Sequence, residues 1–405
     1  MNSRNKLLLT IWIIQLVNYM DRVNISIAAP TMMKDLAIDP ASFGFVLSAF
    51  ALGYACMQMP GGFLADRFGA KRLLIAAPIV WSIFTGLTGL ATTLTSLIVI
   101  RICFGLAEGA SNAACYKIVG DNFTAKERAG ANAVWLTALA LGPAFVAPIA
   151  SLLLRLDGWQ HLFFWFTIPG LVVALLVYLT IPDQSTLAVV QDAPDGGHGV
   201  SWRVLMGRSS SWLIFFGYLS FNVGFWGYLG WMPSYLSIER HIDVKTLGYA
   251  ASIPYLAGFV GLVVFGWLGS HSLYKYRAQM VAIGYLLGAL SLFCTFSANT
   301  AALSLVGLSF AAMFLYGGFA PWASLLLDCA PIQSRAAFAG FISTGGQIGG
   351  LFAPIIVGYV VRNTHSFTGG FVCMMIALCV SAVCFLMLGR QLGIRARDAK
   401  LAPAP

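Results

Sequence analysis

Residues 42–92 read SFGFVLSAFALGYACMQMPGGFLADRFGAKRLLIAAPIVWSIFTGLTGLAT, which is two apolar runs joined by a short charged segment. All the charged side chains of this stretch lie between positions 66 and 72. A helix that crosses the hydrocarbon core of a bilayer needs about 20 residues, and each apolar run has that length. The stretch therefore predicts two transmembrane helices joined by a tight charged turn.

Apolar runs of this kind continue along the whole chain, whose 405 residues are 59% hydrophobic and 10% charged. Soluble domains carry about 25% charged residues, so most of this chain belongs in a bilayer. Lipid offers the backbone no hydrogen bonds, and uninterrupted runs favour helices over the alternating strands of a barrel. We predict an all-α membrane protein with twelve transmembrane helices. Their approximate spans are residues 7–30, 42–64, 73–92, 95–118, 129–154, 161–181, 212–236, 246–269, 278–297, 299–325, 336–361 and 368–389.

A long polar interruption divides these spans into two sets of six. It covers residues 182–210, and we interpret it as a cytoplasmic linker. The predicted organisation is an N-terminal six-helix bundle at 1–181, a C-terminal six-helix bundle at 211–390 and a cytoplasmic tail at 391–405.

The two halves share a weak internal repeat. Gly44 corresponds to Gly248 at an offset of 204 residues. At a similar spacing, the Ala-Pro pair that ends at Pro148 recurs at Pro354. Parallel repeats of this length are typical of transporters whose solute site lies between two related bundles, near the membrane midplane.

The orientation follows from lysine and arginine. With the N-terminus in the cytoplasm, sixteen of these residues fall in cytoplasmic segments and five in outside loops. This bias predicts that both termini are cytoplasmic. The first apolar run lacks a cleavage site, so we expect it to remain as the first span. The expected location is the plasma membrane, as a multi-pass protein of a bacterial inner membrane.

The charge distribution and the residue patterns exclude several function classes. The net charge of +9 is spread over short loops and forms no basic patch, so no nucleic-acid partner is expected. The eight cysteines form no CxxC pair, and we find neither a metal-ligand cluster nor a nucleophile–base pair. We expect neither an enzyme nor a cofactor. The partners expected are a small solute and the lipid bilayer, and the chain is expected to work as a monomer.

Four charged residues lie far from any loop: Asp21, Arg22, Arg101 and Glu108. Asp21 and Arg22 lie about 20 Å into the first span, at 1.5 Å per residue. Arg101 and Glu108 are seven residues apart and share one face of the fourth span. Because charges are costly in lipid, these faces are predicted to line a cavity or contact a partner helix.

Two segments match a known pattern. GFLADRFGAKR, at 62–72, resembles the charged loop of the major facilitator superfamily, and RICFGLAEG, at 101–109, resembles its fourth-span pattern. Close packing against a neighbouring helix is predicted at Gly62, and also at Gly105 and Gly109 of the fourth span. Asp66 is predicted to act as a latch by accepting hydrogen bonds from a neighbouring helix or arginine.

With NYMDRVNIS at 18–26, Tyr54 and the Glu-Arg-Ala segment 127–129, the chain resembles the anion:cation symporter family within that superfamily. The resemblance implies proton-coupled import of a small organic anion, a carboxylate, by alternating access. It assigns substrate binding to Arg22, Arg101, Tyr54 and Gln347. We add Tyr19 and Asn18 from the first span, and Trp231 and Tyr228 from the neutral groups of the second half, as candidate substrate contacts. The resemblance assigns proton coupling to Asp21 and Glu108. The gating residues are Gly62, Asp66, Arg67 and Arg128.

Some alternatives stay open. Leu139 stands where some sugar-acid members place a glutamine, which favours a compact or aromatic carboxylate over a polyhydroxy acid. Sodium could replace the proton, because Asn112 and other side chains offer oxygens. A drug/proton antiporter or a neutral-sugar or nucleoside symporter would explain the two deep arginines less well, and no extramembrane domain suggests an enzyme or receptor.

Overall fold

The computed structural model describes residues 3–123, 134–182, 207–271, 273–329 and 335–401, which are almost entirely helical. The predicted all-α class is confirmed. The helices in chain order are α1 (Ser3–Asp35), α2 (Pro40–Phe68), α3 (Ala70–Thr88), α4 (Leu94–Asn122), α5 (Ala138–Thr180), α6 (Ser209–Ser234), a π-helical turn (Tyr235–Glu239), α7 (Val244–Ser270), a 3₁₀ turn (Tyr274–Tyr276), α8 (Arg277–Ser297), α9 (Ala301–Gly317), α10 (Phe319–Cys329), α11 (Arg335–Thr364) and α12 (Thr368–Leu401).

Within the described residues, ten helical segments are long and apolar enough to cross a membrane. Helix α1 is not one of them, because polar and charged side chains interrupt its apolar sequence. Helix α5 covers most of the described parts of two predicted spans, 129–154 and 161–181, and a break at Gly158 with φ 79° separates them. Helices α9 and α10 together form one of the ten segments. When α1 is added and α5 is divided at this break, the segments correspond to the twelve predicted spans.

The helix boundaries follow local chemistry. Asp39 caps α2, since its Oδ1 accepts hydrogen bonds from the backbone N–H groups of Ala41 (3.0 Å) and Ser42 (3.2 Å). Pro40 then occupies the first turn, where a missing N–H is tolerated. Helix α2 ends at Gly69, whose φ of 88° suits glycine and allows α3 to begin at once.

The described chain forms two compact units. The first contains α1–α5 together with Leu229–Leu256 and Pro354–Phe367. In it α2 packs along α4, and α5 packs against α1 and α3. The second contains the remaining parts of α6, α7 and α11 with α8–α10 and α12, and there α8 packs against α12 and α9. These units do not follow the repeat, and the division into 1–181 and 211–390 stays a prediction.

In the first unit, segments from both sequence halves meet at the end that carries Asp39, called here the Asp39 end. A Cβ built on Gly44 would lie 2.6 Å from the carbonyl oxygen of Pro354. A Cβ built on Gly248 would lie 2.8 Å from the Cα of Pro148. The repeat recognised in the sequence therefore forms two equivalent glycine-on-proline contacts.

Candidate functional site

Two of the four deep charges form a buried ion pair. The Nε of Arg22, on α1, lies 2.7 Å from Oε2 of Glu108, on α4. The side chain of Arg22 is 7% exposed and that of Glu108 is fully buried. Removing one partner of such a pair leaves an uncompensated buried charge, so the two are energetically coupled.

Aromatic rings surround the Arg22 guanidinium. Its Cζ lies 4.8 Å from the ring centroid of Tyr19, 5.1 Å from that of Phe50 and 4.6 Å from that of Tyr54. These distances fall within the range of cation–π attraction, which increases when the cation is shielded from water. Helices α1 and α2 therefore hold this guanidinium in place while Glu108 neutralises it.

Arg101 is the second buried guanidinium, and it lies over aromatic rings from α2 and α4. Its Cζ is 5.3 Å from the Phe50 centroid and 4.7 Å from the Phe104 centroid. Its Nε has no hydrogen-bond partner among the described residues. Both arginines thus contact the ring of Phe50, a residue that the sequence reasoning did not include. Its spacing of four residues from Tyr54, on the same helix face, was the available signal.

A short polar chain lies beside this pair. The Nδ2 of Asn112 donates to the Tyr54 hydroxyl oxygen at 2.7 Å, and the Nε2 of Gln15 donates to Oδ1 of Asn112 at 3.3 Å. Gln15 was also missed, although it precedes Tyr19 by one helical turn. The chain orients the Tyr54 ring against Arg22.

Glycines on α4 bring these groups together. A Cβ on Gly105 would collide with the carbonyl of Phe50, and a Cβ on Gly109 would lie 2.7 Å from the Tyr54 carbonyl oxygen. The prediction that both permit close approach of a neighbouring helix is confirmed. The same interpretation of Gly62 is wrong in the described part of the chain, where no atom lies within 4 Å of a Cβ built on it and Gly61 makes the close contact, with Ala110. Gly62 lies one position further round the helix, on a different face.

Other oxygens in this region have no partner. Both carboxylate oxygens of Asp21, Oδ1 of Asn18 and Oε1 of Glu108 are buried without a hydrogen bond that meets geometric limits in the described part of the chain. The Asp21 carboxyl group interacts electrostatically with Glu108 and Arg101, and the Trp81 indole lies beside it. Among the described residues, Glu108 therefore forms an ion pair with Arg22, whereas Asp21 makes no hydrogen bond within these limits.

The predicted contacts from the second sequence half are placed differently. The Tyr228 hydroxyl donates to the Leu308 carbonyl at 3.0 Å, and Nε1 of Trp231 donates to the Pro354 carbonyl at 3.0 Å. Both side chains are 1% exposed and contribute to helix packing. Gln347 is half-buried on α11. A role of these three residues in substrate binding stays a prediction.

The predicted gating residues are only partly described. Arg67 is exposed, with its Cζ 5.5 Å from the Phe68 ring centroid. The side chain of Asp66 and the whole of Arg128 lie outside the described residues.

The site combines two buried guanidiniums with two buried carboxyl groups. Guanidinium N–H groups are of the kind that bind planar oxyanions, and one of the two guanidiniums is paired with Glu108. In the described residues no group of three or more His, Cys, Asp or Glu side chains is placed to hold a metal ion.

Comparison with known proteins agrees with this arrangement. The model of the Major Facilitator Superfamily matches residues 11–275 and 239–404. A hexuronate transporter of Bacillus subtilis (strain 168) is 28% identical, covering 92% of each chain. A probable galactarate/D-glucarate transporter of Escherichia coli (strain K12) is 29% identical over 96% of this chain and 93% of its own. A probable sulfoacetate transporter of Cupriavidus necator is 31% identical over 98% of this chain and 96% of its own.

A solved structure shows the same fold. It is a bacterial homologue of the human lysosomal transporter Spinster in an inward-facing, unoccupied conformation, with a TM-score of 0.83 and 17% identity, covering 96% of this chain and 97% of its own. The relatives are named as transporters, not enzymes, and this protein is a multi-pass membrane transporter. The family predicted from the sequence motifs is confirmed, and the chain belongs to the Major Facilitator Superfamily.

Proposed function

We propose that this protein is a proton-coupled importer of a small organic carboxylate that works by alternating access, with both termini in the cytoplasm of a bacterial cell. The observation that carries the proposal is the buried Arg22–Glu108 ion pair, with its Nε to Oε2 distance of 2.7 Å, beside a second buried guanidinium. The relatives named for hexuronate, galactarate/D-glucarate and sulfoacetate all carry organic anions by their names, which supports an anionic substrate.

Arginine suits such a substrate because its planar fork donates two parallel hydrogen bonds to a carboxylate. The surrounding aromatic rings already hold the Arg22 guanidinium in position for this role. In the proposed bound state, the substrate carboxylate takes the place of the Glu108 carboxylate at Arg22, and Arg101 contributes a second positive charge.

Coupling to protons follows from this competition. When Glu108 is ionised it occupies Arg22, and when it is protonated its attraction for the guanidinium falls. Protonation therefore favours the anion at Arg22, and the bound anion favours protonation. Asp21 is the second proposed proton carrier. An inside-negative potential opposes anion entry by about 2.3 kcal/mol per charge per 100 mV. Two protons carried with a monoanion give a net positive charge, so the inside-negative potential then favours entry.

The test is a thermal-shift screen of the purified full-length protein against D-glucuronate, galactarate, sulfoacetate, aromatic acids and neutral or cationic controls. A ligand that binds only the folded state stabilises it by about 2.7 kcal/mol at one hundred times its dissociation constant. Wild type and Arg155→Lys, which changes an exposed arginine on α5, are expected to shift with one class of anion. Arg22→Lys is expected to lose that shift because lysine offers no planar fork. A shift caused only by cationic or neutral compounds would reject the proposal.

A further inference from the structure

A hydrogen-bond chain of three polar side chains runs from α1 through α4 to α2. The Nε2 of Gln15 donates to Oδ1 of Asn112 at 3.3 Å, and the Nδ2 of Asn112 donates to the Tyr54 hydroxyl oxygen at 2.7 Å. Both amides point the same way, since each gives an N–H to the next group. The chain therefore has a direction, and it ends at a hydroxyl whose oxygen is an acceptor.

Asn112 bonds to neighbouring helices, although an asparagine within a helix often bonds to its own backbone. Asn122, on the same helix, does so, because its Nδ2 donates to the Ile118 carbonyl at 2.9 Å. Asn222, on α6, donates to the Tyr218 carbonyl at 2.8 Å. Both polar ends of the Asn112 amide are instead bonded to side chains of other helices.

Close packing keeps Tyr54 beside Asn112. Asn112 follows Gly105 and Gly109 on one face of α4. A Cβ on Gly105 would lie 2.8 Å from the backbone nitrogen of Tyr54, and a Cβ on Gly109 would lie 2.7 Å from its carbonyl oxygen. The two glycines thus let α2 lie directly against α4, and the Tyr54 hydroxyl is held within reach of the amide.

The first member of the chain is fixed on the face of α1 that carries Arg22. Gln15 lies one turn before Tyr19 and two turns before Arg22. Gln15 is 2% exposed, so its amide is shielded from water. If its oxygen faced Asn112 instead, it would meet the Asn112 oxygen and a buried hydrogen bond would be lost. Gln15 therefore sets the direction in which Asn112 donates.

This direction leaves the proton of the Tyr54 hydroxyl unused. A hydroxyl group has one O–H donor, and the bond from Asn112 engages only its oxygen. The hydroxyl makes no other hydrogen bond to the residues that the structure describes. The ring that carries it lies against the Arg22 guanidinium, whose Cζ is 4.6 Å from the ring centroid. An anion held by that guanidinium would lie beside the same ring.

We propose that Gln15 and Asn112 are positioning residues that orient the Tyr54 hydroxyl to donate a hydrogen bond to the transported anion. This inference rests on the proposed function, in which Arg22 holds the anion. Each donated bond polarises the next group, so the chain strengthens the last O–H as a donor. The chain thus favours an acceptor beside Tyr54, an oxygen of a carboxylate or a sulfonate, over a donor such as an amide or ammonium N–H.

The first measurement is anion affinity, from thermal shifts of the purified full-length protein with D-glucuronate, galactarate, sulfoacetate and benzoate. Tyr54→Phe is expected to weaken binding of the stabilising acid about tenfold, because a hydrogen bond to a charged group is lost. Asn112→Ala is expected to weaken it about fivefold, and to have no further effect when Tyr54→Phe is already present. Asn122→Ala, on the same helix, is the matched control and is expected to bind like wild type.

An infrared measurement separates this role from one in helix packing alone. The chain has 14 tyrosines, so the phenol C–O stretching band of Tyr54 is identified as the one that disappears in Tyr54→Phe. Accepting a hydrogen bond weakens the C–O bond and lowers this frequency, whereas donating one strengthens the bond and raises it. Without an anion, the band is expected at a higher frequency in Asn112→Ala than in wild type. Adding the stabilising acid to wild type is expected to raise it, because the O–H then donates.

Two results would overturn the inference. One is a Tyr54 band that does not move when a stabilising acid saturates wild type, and the other is an Asn112→Ala loss that persists in full alongside Tyr54→Phe. Both leave the proposed function in place, because the acid still binds. If no acid shifts the melting temperature, carboxylate transport and this inference are rejected together.

A second variant keeps the test available if Asn112→Ala does not fold. Gln15→Met keeps the length of the side chain and removes both ends of the amide, so Asn112 can turn its oxygen towards the Tyr54 hydroxyl. This variant is expected to weaken binding of the stabilising acid about threefold. Unchanged affinity in Gln15→Met would show that the direction of the chain does not matter and would reject the inference.

Discussion

At the scale of single side chains, the proposed mechanism has Glu108 compete with the solute for Arg22. Replacing Glu108 by glutamine keeps the shape of the side chain and removes its charge. We expect Glu108→Gln to bind the stabilising anion about tenfold more tightly at neutral pH, a gain of about 1.4 kcal/mol. Binding should also lose most of its pH dependence, while accumulation against a gradient is lost. Thermal shifts across pH and uptake into proteoliposomes with a proton gradient measure these effects.

The matched control is Glu239→Gln. Glu239 accepts the backbone N–H of Phe367 at 2.6 Å, outside the anion site, and a glutamine oxygen can accept the same bond. This control is expected to transport like wild type. If Glu108→Gln still concentrates substrate, Glu108 is not a coupling residue.

At the scale of a secondary-structure element, the start of α2 depends on Asp39. Partial burial acts to raise the pKa of Asp39, but hydrogen bonds from the Ser42 hydroxyl and backbone and the nearby Arg362 guanidinium outweigh it, so the pKa lies below its usual value. The contribution to stability is therefore present above the usual aspartate pKa of about 3.9 and is lost as the pH falls through the lower pKa of the folded state.

Asp39→Ala is expected to destabilise the protein by about 1 kcal/mol at neutral pH, because the capped N–H groups lose their acceptor. The difference from wild type should become smaller in strong acid, because the protonated carboxyl group is a weaker acceptor, and melting temperature against pH measures this. Asp39→Asn retains a capping oxygen and is expected to stay close to wild type, since the exposed pair with Arg362 contributes little. Equal losses in both variants would assign the stability to the ion pair instead.

At the scale of the whole molecule, two glycine contacts join segments from both sequence halves at the Asp39 end. In the proposed alternating-access cycle, the helices that pack together at the Asp39 end must separate and then come together again. Leucine at Gly44 or Gly248 would overlap Pro354 or Pro148, at a cost of about 1–3 kcal/mol. We expect each substitution to lower the uptake rate about tenfold, while the anion still shifts the melting temperature.

Gly62→Leu is the control for these substitutions, since nothing lies within 4 Å of a Cβ at that position. It is expected to transport at nearly the wild-type rate. Normal uptake by both Gly44→Leu and Gly248→Leu would show that this packing does not take part in the transport cycle.

The chain order of the helices, the depth of the charges and the repeat were all readable from the sequence. Hydropathy and length identify the spans, and the cost of a charge in lipid explains why Asp21, Arg22, Arg101 and Glu108 face the interior. The spacing of Gly105 and Gly109 correctly indicated a close helix contact. These features depend on composition and periodicity along one helix.

Only the tertiary structure decided which partner each side chain meets. A helical period gives the face of a residue but not the neighbour that this face contacts. For this reason the sequence indicated that the four deep charges could pair with one another but not which pair forms, and the structure joins Arg22 to Glu108. Nor did the sequence show that Trp231 donates to a backbone carbonyl, since a buried indole finds whichever acceptor the adjacent helix presents.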